Sequence, residues 1–282
     1  MITEAIVSAL ELSDITLLKN AGQKIVYKAN SKKHGSIVLK LIKPNQDLER
    51  IFREIEILKS LNNVQTSKIL EDGTLSLENE EYLYIIEAFI EGEELRAYMT
   101  RIGKIPFDEV CKFLQNMIEI IEVLEKNHLV HRDIKPENIM RTNDGIYILI
   151  DFGIARDLSR TSITDTASTR GPATVIYAPI EQIDNKKDEI DSRVDLYSVC
   201  LVAYEMLSEI NPFAEGCENM MQAMRKIDQG NFSPLSSESR YDDLLEFIHT
   251  NMNKYRTKRS PNAAEAKKWI DDIADSLCGG NS

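Results

Sequence analysis

The sequence predicts an α+β chain in two lobes: a small β-rich N-terminal lobe with one helix, residues 1–90, and a larger, mainly α-helical C-terminal lobe, residues 91–282. Three observations carry this. Short apolar, β-branched runs separated by Asn-, Ser-, Lys- and Gly-rich breaks fill the first third. Long apolar stripes at helical spacing fill the rest. The pattern changes once, near Glu91-Gly92, and a block of strands followed by a block of helices suggests two lobes with a cleft at the change.

In chain order, "DITLLK", "KIVYKA" and "SIVLKLI" read as strands. "DLERIFREIEILKSL" then places Leu48, Ile51, Phe52, Ile55, Leu58 and Leu61 on one helical stripe. "TLSLE" and "YLYIIEAF" return to strand. Past Glu91-Gly92, "FDEVCKFLQNMIEIIEVLEKNH" sets Val110, Phe113, Leu114, Met117, Ile121 and Leu124 on one face of a helix. "VDLYSVCLVAYEML" is apolar nearly all round, so it is expected to run through the core. "DDLLEFIHTNM" and "NAAEAKKWIDDIADSL" follow as helices.

Composition excludes several classes. The chain has 282 residues, 43% hydrophobic and 28% charged, which suits a globular protein with a sizeable core. A net charge of −12, from 34 basic and 46 acidic residues, argues against nucleic acid as a partner, because that role calls for a basic face. Cys111, Cys200, Cys217 and Cys278 form no C-x-x-C redox or zinc motif and read as reduced thiols. "MITEAIVSALELSD" is too acidic for a signal peptide, and no apolar run approaches a membrane span. A cytoplasmic protein without membrane contact is expected. Oligomeric state leaves no signal in the sequence.

The run "HRDIKPEN", residues 131–138, is the densest in chemistry. Pro136 is expected to forbid a helix through it. "IMRTNDGIYILI" reads as a hairpin turned by Asn143-Asp144-Gly145, followed at once by Asp151. Such a hairpin folds the loop before it against the residue after it, so Asn138 and Asp151 are expected side by side. An amide oxygen and a carboxylate are suitable hard ligands for Mg²⁺. Asp133 would lie nearby, not needed as a ligand and able to accept a proton from an attacking hydroxyl. Lys135 can neutralise charge on a transferred phosphoryl group. For any one of these residues a solvated loop of mixed charge is the plainer reading; for the ordered run it is not.

"HRDIKPEN" followed by "DFG" resembles the catalytic loop and metal-binding motif of eukaryotic-type (Hanks-type) serine/threonine protein kinases, in their bacterial form. The resemblance covers nearly the whole chain. "IVLK" matches the strand whose lysine, here Lys40, holds the α- and β-phosphates of ATP, and Glu54 matches the helix glutamate that pairs with it. "YAPIEQ", residues 177–182, resembles the motif that closes the activation segment, with Ile180 where proline is usual. Asp195 matches an aspartate that braces the catalytic loop, "NPF" follows at Asn211, and Arg259 matches an arginine that pairs with Glu181. Motifs in this number and order are far more specific than any one alone.

The resemblance implies the two-lobed protein kinase fold, with catalytic roles for Asp133, Lys135, Lys40 and Glu54. It implies Asn138 and Asp151 as Mg²⁺ ligands and a protein substrate bearing a Ser or Thr acceptor. It sets adenine between Val26 and Val38 on one side and Met140 on the other. Ile86 becomes the gatekeeper, the backbone of Glu87 and Phe89 pairs with the purine, and Glu94 lies by the ribose. Lys135 and Thr174 match serine/threonine rather than tyrosine kinases, with Thr174 in substrate docking. An arginine at position 132 pairs in this family with a phosphate on the activation segment. The acceptors offered are Thr161, Ser162, Thr164, Thr166, Ser168 and Thr169, and the last four are the candidates.

One motif departs. The family's G-x-G-x-x-G-x-V, anchored on Val26, puts Lys19, Ala21 and Lys24 at the glycine positions, and Gly22 is displaced by one place. Two readings stand. The loop of Ala21, Gly22, Gln23 and Lys24 turns at Gly22 and brings the Lys24 charge to the phosphates, or the loop is degraded, as in a pseudokinase acting as a binding or scaffold module. The first is preferred because Lys40, Glu54, Asp133, Asn138 and Asp151 all stand. A small-molecule phosphotransferase of the same fold is a third reading, disfavoured by "YAPIEQ" and the segment before it.

Overall fold

The computed structural model describes residues 2–21, 24–43, 48–61, 65–78, 80–151 and 175–279. They divide into two compact units between Glu91 and Gly92. The first holds a five-stranded antiparallel sheet of order β1-β2-β3-β5-β4. Its strands are β1 (Leu12–Ala21), β2 (Lys24–Ser31), β3 (Gly35–Ile42), β4 (Ile69–Leu77) and β5 (Glu80–Ala88). The β-branched runs form these strands because alternate side chains fill a core on one face. That core gathers Tyr27, Ala29, Ile37, Leu39, Leu41, Leu77 and Ile86.

The first unit carries two helices, not the single one expected. α2 (Leu48–Ser60) is the expected one, burying Ile51 and Ile55. α1 (Ile2–Ala9) is the addition. Its eight residues are too few to hold a helix alone, and tertiary packing supplies the stability: Ile6 is fully buried within the sheet core.

The second unit opens with β6 (Gly92–Glu94), which pairs with β7 (Ile139–Thr142), itself paired with β8 (Tyr147–Leu149). Gly92 is required here, since a Cβ would run into the carbonyl oxygen of Arg141. α3 (Leu95–Ile102) and α4 (Phe107–Lys126) follow. α4 buries the predicted stripe and packs on α6 (Ser192–Ser208) and α9 (Ala263–Gly279). α6 is buried almost throughout, as its all-round apolar surface predicts, and its N-terminus is capped by the Asp191 side chain accepting from the Arg193 N–H at 3.0 Å. α5 (Ile180–Ile183), α7 (Met220–Gln229) and α8 (Asp242–Asn251) complete the described helices. Cys111 and Cys200 are buried on α4 and α6, and burial pushes the Cys111 thiol up to about 11. Among the described residues no helix is long and apolar enough to cross a membrane.

Candidate active site

The second unit holds the "HRDIKPEN" loop between α4 and the β7–β8 hairpin. The hairpin turns at Asn143-Asp144-Gly145, with Gly145 at φ 76° and its N–H donating to Thr142 O at 3.0 Å. The loop differs from the expectation in one respect: Pro136 starts a short 3₁₀ turn, Pro136–Asn138, instead of forbidding helix. Proline fits the first position of a helical turn, where its missing N–H has no intrahelical partner to lose.

Asp133 is 6% exposed. Asn138 Nδ2 donates to Asp133 O at 2.8 Å and to Asp133 Oδ2 at 2.7 Å. Lys135 Nζ lies 3.3 Å from the same Oδ2. His131 is buried and its Nδ1 accepts from the Asp133 N–H at 3.3 Å. The Ile150 N–H donates to Asn138 O at 2.9 Å, which sets the residue before Asp151 against Asn138. Asp133, Lys135 and Asn138 thus come together as the spacing predicts. Because the Asn138 amide nitrogen is committed to Asp133, its oxygen is the atom left for a cation, so the donor set fits a hard divalent metal. Arg132 and Asp151 both have positive φ, 64° and 66°. Non-glycine residues hold such angles at a cost, and the surroundings must over-determine them.

Asp195, on the first turn of α6, supplies that constraint for Arg132. Its Oδ2 accepts from the His131 N–H at 2.7 Å and its Oδ1 from the Arg132 N–H at 2.8 Å. Gln182 Nε2 donates to Arg132 O at 2.9 Å. Burial pushes the Asp195 carboxyl up to about 6 from an ordinary 3.8, with the two N–H bonds and Arg132 offsetting part of the rise. A raised carboxyl favours the protonated folded state, so Asp195's own contribution to stability declines as pH rises from about 3.8 to about 6. Its brace runs the other way. Two N–H donors need two acceptor oxygens, and a proton on either oxygen opposes one of them. Amide exchange at His131 and Arg132, corrected for intrinsic rates, should therefore quicken as pH falls through about 6. Asp195→Asn should show the same quickening at neutral pH; unchanged protection there would refute the brace.

Arg96 has no counterpart in the sequence-level expectations. From α3 it donates through Nε to Glu137 Oε1 at 2.8 Å and through Nη1 to Glu205 Oε1 at 2.7 Å. It also donates to the Tyr177 hydroxyl, which donates in turn to Glu205. One guanidinium so ties the residue beside Asn138 to the closing motif and the central helix. Burial opposes the Arg96 charge, but Glu205, Tyr177 and Glu137 outweigh it and raise its pKa. Burial also holds the Tyr177 hydroxyl well above its ordinary value. The separations of 41, 81 and 109 residues leave no sequence signal for such a network. The expected Glu181–Arg259 pair is present at 2.6 Å and buried. In the same unit, Glu94 on β6 stands opposite Met140 on β7.

The first unit carries the nucleotide candidates. Val26 pairs with Lys40, Lys40 with Ile85, and Val38 with Glu87, so Val26, Val38, Lys40 and Glu87 share one face of the sheet; Lys24, two residues before Val26, shares it too. Three expectations change here. Ile86 faces the opposite side, in the sheet core, so it is not a gatekeeper. The Glu87 backbone is paired on both sides, with Val38 of β3 and Ile69 of β4, and it is the side chain that faces the candidate surface, where Glu87 Oε1 meets Lys40 Nζ at 2.6 Å. The Phe89 N–H donates to Ser36 O at 3.2 Å, so this amide is engaged within the sheet and not offered to a purine. β1 and β2 pair as far as Ala21 opposite Lys24. Gly22, Gln23, Thr164, Thr166, Ser168, Thr169 and Thr174 lie outside the described residues, as do the side chains of Ala21 and Glu54.

A family model described as the protein kinase domain matches residues 21–270. A probable serine/threonine-protein kinase of Clostridium perfringens is 29% identical over 274 residues, covering 89% of this chain and 39% of that protein. PrkC, a serine/threonine-protein kinase of Bacillus subtilis, is 32% identical over 169 residues, covering 60% and 25%. The serine/threonine-protein kinase cds1 of Schizosaccharomyces pombe is 31% identical over 236 residues, covering 80% and 49%. The chain thus spans less than half the length of each of these relatives. With the model matching most of its length, the chain belongs to the protein kinase domain family.

Proposed function

We propose that this chain is a serine/threonine protein kinase domain that transfers the γ-phosphate of ATP to Ser and Thr hydroxyls of proteins, itself included, with Mg²⁺ as the metal. The observation that carries the reading is the buried Asp133 carboxylate, held by Asn138 and Lys135 on a loop braced by Asp195. Asp133 positions the attacking hydroxyl and takes its proton. Lys135 offsets charge on the transferred group. Lys40, with Glu54 as its helix partner, orients the α- and β-phosphates. Val26, Val38 and Met140 contact the base, Glu94 the ribose, and Lys24 the phosphates. Asn138 and Asp151 hold the metal, which when bound neutralises charge on the phosphate oxygens. Most of the rate then comes from positioning. Thr174 docks the substrate, and a phosphate on Thr164, Thr166, Ser168 or Thr169 pairs with Arg132, since it adds nearly two negative charges.

Incubation with labelled ATP and Mg²⁺, followed by site mapping, tests this. Incorporation confined to Ser and Thr, including residues 160–171, and abolished by EDTA, is expected. Nucleotide binding without incorporation into the chain or a generic basic protein would instead indicate a silent binding module.

A further inference from the structure

Lys40 and Glu87 form a buried ion pair inside the first unit's sheet, with side chains only 10% and 5% exposed. No motif in the sequence calls for an acid at position 87. The strand register explains the meeting. Glu87 is paired with Val38, and Lys40 with Ile85, so the two charged residues are diagonal neighbours on one face. Diagonal Cβ atoms in an antiparallel pair lie roughly 7–8 Å apart, within reach of two long side chains. β3 and β5 are both interior strands, and Glu87 is also paired with Ile69 of β4. Its backbone is therefore held from both sides. An ammonium this deeply buried requires a nearby anion, because an uncompensated charge is costly to desolvate. The sheet provides one that moves with Lys40 whatever helix α2 does.

We propose that Glu87 is a positioning residue for Lys40, holding its ammonium in the place from which it meets the nucleotide phosphates. The ammonium has three hydrogens; Glu87 takes one and fixes the stem, which sets the direction from which the ammonium meets phosphate oxygens. Glu87 acts here through Lys40 and needs no contact with ATP. What Lys40 does once held rests on the kinase reading; that Glu87 holds it does not.

Two measurements on the full chain test this. In the nucleotide-free protein labelled with ¹⁵N-lysine, the Lys40 ammonium should give a resonance protected from exchange, identified by its loss in Lys40→Arg. Glu87→Gln, which keeps size but removes charge, should weaken the protection. In Mg-ATP kinetics, Glu87→Gln should raise the ATP KM about tenfold, the scale of a lost interaction with a charged group, and Glu87→Asp should restore part of it. In a Lys40→Met background, Glu87→Gln should cost no further ATP affinity, because its route to the nucleotide is gone. That double variant also removes both buried charges and is the one expected to fold if Lys40→Met alone does not. A lower melting temperature for Glu87→Gln with an unchanged KM would make the pair merely structural and overturn the proposal. An equal loss of affinity with and without Lys40 would overturn it too. If the wild type neither binds nor turns over ATP, the kinase reading fails, and the ammonium spectrum still decides whether Glu87 holds Lys40.

Discussion

Asp133→Asn is expected to lower phosphoryl transfer by about 10²–10⁴-fold, the range over which a positioned general base acts. The substitution removes the proton acceptor and the negative charge facing Lys135 Nζ, 3.3 Å away, but keeps an acceptor oxygen for Asn138. Asp133 Oδ2 accepts from Asn138 Nδ2 at 2.7 Å, and the amide oxygen of an asparagine can take the same place. The Asp133 carbonyl, which also accepts from Asn138, is untouched. The loop should therefore keep its shape, and the variant should bind Mg-ATP with near wild-type affinity, since Asp133 is not one of the proposed ligands. Single-turnover transfer and equilibrium nucleotide binding, measured on the same preparation, separate the two effects. Transfer within a few-fold of wild type would falsify the role of Asp133 as base; loss of nucleotide binding would mean that Asp133 also helps hold the metal.

The largest effect on stability is expected at Arg259. Its guanidinium is fully buried and the Glu181 side chain 3% exposed. All five of its N–H hydrogens are used. Nη1 donates to Glu181 Oε1 at 2.6 Å and to Arg193 O at 3.1 Å; Nη2 donates to Glu181 Oε2 at 3.3 Å and to Lys254 O at 3.3 Å; Nε donates to Asn253 O at 2.8 Å. The ring of Tyr197 lies 4.8 Å below the guanidinium carbon. Arg259→Leu leaves a buried carboxylate and three carbonyls without their donor, and breaking a buried pair in this way costs about 3–5 kcal/mol. Arg259→Lys should recover only part, because an ammonium has three donors and no planar fork. Removing both charges in Arg259→Leu/Glu181→Leu should cost less than Arg259→Leu alone, since no lone charge then remains inside. Urea unfolding of the second unit, followed through near-ultraviolet circular dichroism, reads all three. A loss below about 1 kcal/mol for Arg259→Leu, the level of an exposed pair, would show that the interior tolerates the lone carboxylate.

Much of the catalytic loop was legible because its determinants are local. "HRDIKPEN", the Asn-Asp-Gly turn and the apolar stretches of β7 and β8 lie within some twenty consecutive residues, and turn chemistry plus strand alternation bring Asn138 back toward Asp151. The stripes of α4 and α6 were legible for the same reason, since a helix displays its periodicity within itself. α1 was not: eight residues with one fully buried isoleucine form a helix only because a sheet is there to cover Ile6.

Alone, then, the sequence determined the order of the main strands and helices, the family, and the meeting of Asp133, Lys135 and Asn138 on one loop. Tertiary structure alone decided which way β5 faces. Neighbouring strand residues point to opposite faces, so choosing Ile86 in place of Glu87 inverts the reading of the strand, and only pairing with β3 resolves it. The same holds for Arg96, whose partners come from the catalytic loop, the closing motif and the central helix. Charge pairs between distant elements have no period and no spacing; they exist only once packing has brought their backbones within a few ångströms of each other.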